Sequence, residues 1–173
     1  MKNLLIVGRP GVGKTTLIKT VIARSARQKA AGFFTQEVRE RGRRSGFKIE
    51  TLDGKAGILA AVQGEDGPRV GRYRVNLNDL ERVGVAGIEK GLPGCDLIVI
   101  DEIGKMELFS KRFKDVVKKA FNSRAKVLAT VKLGRGGFIR DLIEREDTKV
   151  LMLTEANRDM VANEALDFVE GKD

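Results

Sequence analysis

The feature that most constrains this chain is Gly8-Arg9-Pro10-Gly11-Val12-Gly13-Lys14-Thr15, near its N-terminus. An apolar run, Leu4-Leu5-Ile6-Val7, precedes it, and a helix-forming run from Thr16 to Ile22 follows. Strand, glycine-rich loop and helix in that order make a phosphate-binding loop, or P-loop. Glycines let the backbone curl until several N–H groups face one anion, and the next helix N-terminus adds partial positive charge. The predicted nucleotide-binding residues are Gly8, Arg9, Pro10, Gly11, Val12, Gly13, Lys14, Thr15 and Thr16. Lys14 reaches the β- and γ-phosphates, and the Thr15 hydroxyl is a ligand for Mg²⁺, the expected cofactor. A glycine-rich turn that binds nothing is the alternative reading, and the flanking strand and helix weigh against it.

Bulk properties narrow the class. The 173 residues suit one domain, 1–173, with a substantial core. No apolar run approaches the roughly 20 residues of a membrane span, and Met1-Lys2-Asn3 leads straight into the first strand without a signal peptide. Cys95 is the single cysteine, so no internal disulfide forms, and a reducing, cytoplasmic setting is expected. With no histidine, histidine bases and histidine metal sites are excluded. The net charge of +9 fits nucleic-acid contact, attraction of a polyanionic nucleotide, or a merely soluble surface. Nucleic acid is therefore not the favoured partner, a membrane is not expected, and a monomer is.

Hydrophobic spacing predicts a first helix from Gly13 to about Lys29, with Leu17, Ile18, Val21 and Ile22 inward. Strands follow at 31–38, 46–52 and 56–62, with a basic turn at 39–45 and an Asp53-Gly54 turn signal. A short extended piece covers 69–75. The segment from about 32 to 76 thus reads as an antiparallel ribbon insertion. Asn78 is a candidate cap for a helix over 79–90, and Ser110 for one over 111–121. Buried strands are expected at 96–102 and 126–131, a short helix at 138–145, a final strand at 149–153, and a closing helix from Thr154 to about Val169. This alternation predicts an α/β fold: a three-layer P-loop architecture around a mostly parallel, RecA-like sheet.

Leu97-Ile98-Val99-Ile100 followed by Asp101-Glu102 supplies the second half of a site. Ligands bind at the carboxyl ends of parallel strands, so both acids should emerge beside the P-loop. Asp101 suits a second Mg²⁺ anchor, and Glu102 can hold or deprotonate an attacking water. A solvated strand end is the plain alternative. Lys105 could stabilise phosphoryl charge or pair with Glu102 or Glu107. Arg43 and Arg44 at a hairpin tip, and Arg135 in the loop 132–137, are candidate cations for the same task. The guanine-reading Asn-Lys-x-Asp run is absent, and Phe33, Phe34, Tyr73 and Phe138 read first as core. Poor base selectivity follows.

The run Ile100-Asp101-Glu102-Ile103-Gly104-Lys105-Met106-Glu107-Leu108 resembles the signature of small P-loop nucleoside-triphosphatases first known from thermophiles, the family of cancer-related nucleoside-triphosphatase. Gly8–Thr16, Gly32–Arg39, Gly46–Ile49 and Thr154–Asp159 are similar to the same family, in order along nearly the whole chain. The resemblance implies a RecA-like fold and slow, Mg²⁺-dependent hydrolysis of nucleoside triphosphates (ATP, GTP, CTP, UTP) to diphosphates. After Ala129-Thr130-Val131, many members carry a histidine or a proline-containing loop. This chain has Lys132-Leu133-Gly134-Arg135-Gly136-Gly137 instead, so that family position is not carried over. A nucleotide or metabolite kinase and a nucleic-acid-associated P-loop ATPase are the competing functions. Glu102 directly after Asp101 argues for water as the acceptor.

Overall fold

The computed structural model describes residues 1–25, 29–132 and 136–172. The strands are β1 (Asn3–Gly8), β2 (Ala30–Glu40), β3 (Arg43–Thr51), β4 (Ala56–Ala61), β5 (Arg69–Val70), β6 (Tyr73–Val75), β7 (Leu97–Ile103), β8 (Lys126–Lys132) and β9 (Thr148–Leu153). They form one sheet in the order β5-β6-β4-β3-β2-β7-β8-β1-β9. The five strands from β2 to β9 pair in parallel, and β3 to β6 extend the sheet antiparallel. The helices are α1 (Lys14–Arg24), α2 (Leu77–Asp79), α3 (Ala86–Gly91), α4 (Lys111–Asn122), α5 (Gly137–Ile143) and α6 (Arg158–Glu170). A wide π turn, Leu80–Val85, joins α2 to α3, and a short 3₁₀ turn covers Glu107–Phe109.

Strand periodicity divides the core between two faces. Leu4, Ile6, Leu97, Val99 and Leu128 pack with α1 and α6; Leu5, Val7, Ile98, Ile100, Val127 and Ala129 pack with α3, α4 and α5. β1 is buried along its whole length, as a parallel strand covered on both faces must be. β9 lies at the sheet edge, where Val150 and Met152 remain exposed.

Several boundaries differ from expectation for local reasons. The ribbon is not a separate layer: β2 pairs with β7 up to Phe33, then continues with β3 alone to Glu40. Its turn is only Arg41-Gly42, both at positive φ, as a two-residue type I′ hairpin requires. Asn76, not Asn78, caps the third helical segment, because β6 runs straight into it; Asn76 Oδ1 accepts from the Asp79 N–H at 2.9 Å. Ser110 caps α4 as expected, accepting from the Phe113 N–H at 3.0 Å. α1 ends at Arg24, short of position 29, where the chain is one residue from β2. α6 begins at Arg158 rather than Thr154, because Asn157 draws 154–157 into a turn.

Candidate active site

Parallel strands deliver their C-terminal ends to one edge, and here that edge gathers the P-loop from β1, Asp101 and Glu102 from β7, and Thr130 from β8. Gly11 and Gly13 hold φ of 76° and 101° within the P-loop, a region side-chain-bearing residues rarely enter. The curl brings Lys14, only 6% exposed, back over the loop, where its Nζ donates to the carbonyls of Gly8 (3.0 Å) and Arg9 (3.1 Å). Arg9, Pro10, Gly11 and Thr16 are exposed; Val12 is buried.

Asp101 is 1% exposed and is held by hydroxyls from three elements. Thr15 Oγ1 donates to its Oδ2 at 2.7 Å, and Thr130 Oγ1 to its Oδ1 at 2.7 Å. The Thr35 N–H donates to Oδ2 at 3.3 Å. A carboxylate so supplied with donors is fixed in one orientation. Thr15 and Asp101 are hard oxygen donors 2.7 Å apart at a helix N-terminus, a donor set that fits Mg²⁺ completed by water and phosphate oxygens. Among the described residues no cluster of three or more acids or cysteines could hold a metal unaided.

Glu102 would point away from Asp101 in a regular strand, since successive side chains alternate. The β7–β8 ladder breaks there: Ile100 pairs with Ala129 and Ile103 with Val131, so two residues of β7 stand against one of β8. Such a bulge re-aims side chains, and both acids reach the P-loop. Glu102 Oε2 lies 3.6 Å from Lys14 Nζ, with the Glu102 side chain 28% exposed. Burial raises the Glu102 pKa, and the Asp101 charge adds to this; together they outweigh Lys14 and Lys132, which pull it down.

A third acid closes the back of the site. Glu107 is buried and accepts from the Gly104 N–H at 3.1 Å. Burial, reinforced by the Glu102 charge, pushes its pKa up to about 8. Gly104 makes the arrangement possible, because a Cβ there would lie 2.8 Å from Glu102 Oε1 and 3.1 Å from Glu107 Oε2.

Other candidates stand apart from this group. Lys105 is exposed, and among the described residues it pairs with neither Glu102 nor Glu107. Arg44 pairs with Glu37 at 2.6 Å, and Arg43 is exposed at the hairpin tip. Thr35 touches Asp101, and the tip at Arg41 is six residues on, about 20 Å along an extended strand. The structure thus brings together Lys14, Thr15, Asp101 and Glu102 but not Arg43 or Arg44. Arg135 lies outside the described residues.

Sequence reasoning gave no role to Thr35, Thr130, Asn157 or Arg158. Thr130 had a signal: one hydroxyl ending the apolar run Val127-Leu128-Ala129. Asn157 Oδ1 accepts from the Thr154 N–H at 2.8 Å while its Nδ2 donates to the Met152 carbonyl at 2.8 Å. Arg158 Nε donates to the Val12 carbonyl at 3.1 Å, tying α6 to the P-loop.

A mixed α/β sheet whose first strand ends in this loop, with the acid-tipped β7 one strand removed across β8, defines a P-loop nucleoside triphosphatase fold. The profile of a family described as NTPase matches residues 3–166, and the chain belongs to that family. It is 49% identical over 168 residues to the nucleoside-triphosphatase THEP1 of Thermotoga sp. (strain RQ2), covering 97% of this chain and 95% of the relative. The crystal structure of THEP1 from the hyperthermophile Aquifex aeolicus superimposes with a TM-score of 0.88 at 34% identity, over 97% of this chain and 99% of that one. The solution structure of a human cancer-related nucleoside triphosphatase gives 0.84 at 34% identity, over the full length of both chains.

Proposed function

We propose that the chain hydrolyses nucleoside triphosphates to diphosphate and phosphate, slowly, with Mg²⁺ and little regard for the base. The observation that carries this reading is the joining of the P-loop to two acids: Thr15 to Asp101 at 2.7 Å and Lys14 to Glu102 at 3.6 Å. Lys14 leaves the loop carbonyls for the β- and γ-phosphate oxygens, a stronger, charged partner. Thr15 and Asp101 would hold Mg²⁺, which would offset the negative charge of the phosphate groups. Thr130 and Thr35 keep Asp101 in place. Glu102 holds the attacking water and accepts its proton, and its raised pKa makes it a stronger base than an exposed glutamate. The water oxygen bonds to the γ-phosphorus, and the bond to the β-γ bridging oxygen breaks, leaving the diphosphate with the electron pair.

No arginine of the hairpin reaches this group, so turnover of the unassisted order, roughly 10⁻⁴ to 10⁻² per second, is expected. The protein acts as a monomer in the cytoplasm. The test is phosphate release with Mg²⁺ and each of ATP, GTP, CTP and UTP, with no acceptor added. Slow release from all four, abolished by chelator, is the expected result; no release despite tight nucleotide binding refutes hydrolysis as the activity.

A second reading, contact with nucleic acid, draws on the ribbon. The Arg44 guanidinium lies 5.6 Å from the Phe47 ring and that of Arg72 5.4 Å from the Tyr73 ring, the basic-aromatic mixture that stacks on bases. Binding to single-stranded RNA that weakens steeply with salt would favour it.

A further inference from the structure

Lys132 has no part in the chemistry above, yet the sheet delivers it to the same edge. β8 lies between β1, which carries the P-loop, and β7, which carries the two acids. Lys132 ends that middle strand, in register with Gly8, the residue at which β1 gives way to the loop. We propose that Lys132 is a further catalytic residue, whose ammonium contacts the γ-phosphoryl group and offsets the charge that builds on its oxygens as water attacks. The proposal rests on the hydrolytic reading of the site.

Strand alternation sets the direction of the side chain. Leu128 packs with Leu4, Ile6, Leu17 and Ile18 on the α1 side of the sheet. Thr130, two residues on, donates to Asp101 at 2.7 Å. Lys132 follows two residues later, so it shares this face, about 6.6 Å of strand beyond Thr130. It is also the side on which α1 begins and Thr15 meets Asp101 at 2.7 Å. Next to Lys132 in the sheet stands Gly8, whose carbonyl accepts from Lys14 Nζ at 3.0 Å. The Lys132 charge is felt at the centre of the group: with Lys14 it draws down the Glu102 pKa that burial raises.

Lys132 is exposed, and among the described residues no salt bridge engages it. The other cations near this edge are committed elsewhere: Lys14 is buried in the loop and Arg44 is paired with Glu37 at 2.6 Å. A lysine carries its charge on a flexible four-carbon stem, so it can follow a ligand that arrives between the P-loop and the acids. Hydrolysis spreads negative charge over the γ-phosphoryl oxygens, and a cation placed there favours the transition state over the bound triphosphate. An ammonium is one point charge where a guanidinium is a planar fork, so the gain is smaller than an arginine would give, in keeping with slow turnover.

The test separates contact with the phosphoryl group from an effect on Glu102. Lys132→Ala and Lys132→Met, the second keeping the stem without the charge, should each lower kcat for ATP by on the order of tenfold to a hundredfold. Lys132→Arg should stay within about threefold of wild type. Calorimetry with Mg²⁺ should show ADP binding unchanged within about threefold in all three variants, whereas ADP with aluminium fluoride, a mimic of the transferring phosphoryl group, should lose affinity in the alanine and methionine variants by about the factor lost in kcat. Turnover within threefold of wild type in either uncharged variant overturns the proposal. So does a raised KM with kcat unchanged, which would mean that Lys132 binds substrate and transition state alike. Slower turnover with undiminished aluminium fluoride binding would show action through Glu102 alone and also overturns the contact. If the wild-type protein releases no phosphate, the hydrolytic reading itself fails; release by wild type at an equal rate in the variants defeats only the role of Lys132.

Discussion

Glu107→Gln should stabilise the protein, and by an amount that grows with pH. The buried carboxyl titrates near 8, against an ordinary value of 4.5. Between those values the folded state binds a proton that the unfolded state has released, so stability falls as pH rises. The stability Glu107 contributes is fully present below about pH 4.5 and is lost progressively up to about 8, where the slope ends. One pH unit is worth about 1.4 kcal/mol, so at pH 7 proton uptake costs about 3 kcal/mol, and between pH 5 and 8 the loss approaches 4 kcal/mol. Glutamine has nearly the same shape, carries no proton to take up, and offers an oxygen to the Gly104 N–H that Glu107 now accepts. Guanidinium unfolding of both proteins at pH 5, 6, 7 and 8, with chelator and without nucleotide, measures the gap. The variant should gain little at pH 5 and on the order of 2–4 kcal/mol at pH 8. A gap of the same size at every pH refutes the reasoning, because it would mean that Glu107 is ionised in the folded state throughout.

Three further outcomes test the site. Lys14→Ala should lose nearly all turnover on every triphosphate while melting in one cooperative transition; turnover within tenfold of wild type would separate the P-loop from the chemistry. Glu102→Gln should keep nucleotide affinity within a few-fold and slow single-turnover hydrolysis by about 10² or more, and an unaltered rate would exclude Glu102 as the base. Arg43→Ala and Arg44→Ala, measured at saturating ATP, should each change turnover by less than about threefold, because the hairpin tip stands about 20 Å of strand beyond the Asp101 contact; a fall of a hundredfold in either would reveal an arginine that swings into the site.

Much of the fold was legible because its signals are local. The apolar runs of β1, β7 and β8 are continuous since both sheet faces are covered, and the loop glycines announce a backbone shape that few residues other than glycine adopt. Ser110 was readable as a cap for the same reason. Asn76 was missed because two asparagines stand two apart, and the choice between them depends on where β6 ends. The ribbon was legible as antiparallel, but not that its first strand is also a core strand pairing Ala30–Phe33 with Leu97–Ile100. That pairing joins residues more than sixty positions apart, and no local periodicity encodes it.

By itself, the sequence determined the chemistry available: a lysine and threonine behind a glycine loop, two acids after a buried strand, and no histidine to do their work. Only the tertiary structure decided which of these groups meet. A strand alternates its side chains, so Asp101 and Glu102 in sequence imply opposite directions; the bulge against Thr130 turns both to the P-loop. Arg43 and Arg44 looked equally available for catalysis, but an extended ribbon carries them away from the site. Glu107 looked like any charged residue, and burial behind Gly104 changed its protonation. Asn157 and Arg158 looked like a helix start, and the packing of α6 tied Asn157 to the end of β9 and Arg158 to the phosphate loop. In each case the identity of the residue is local information, whereas its neighbours and its access to water are properties of the folded whole.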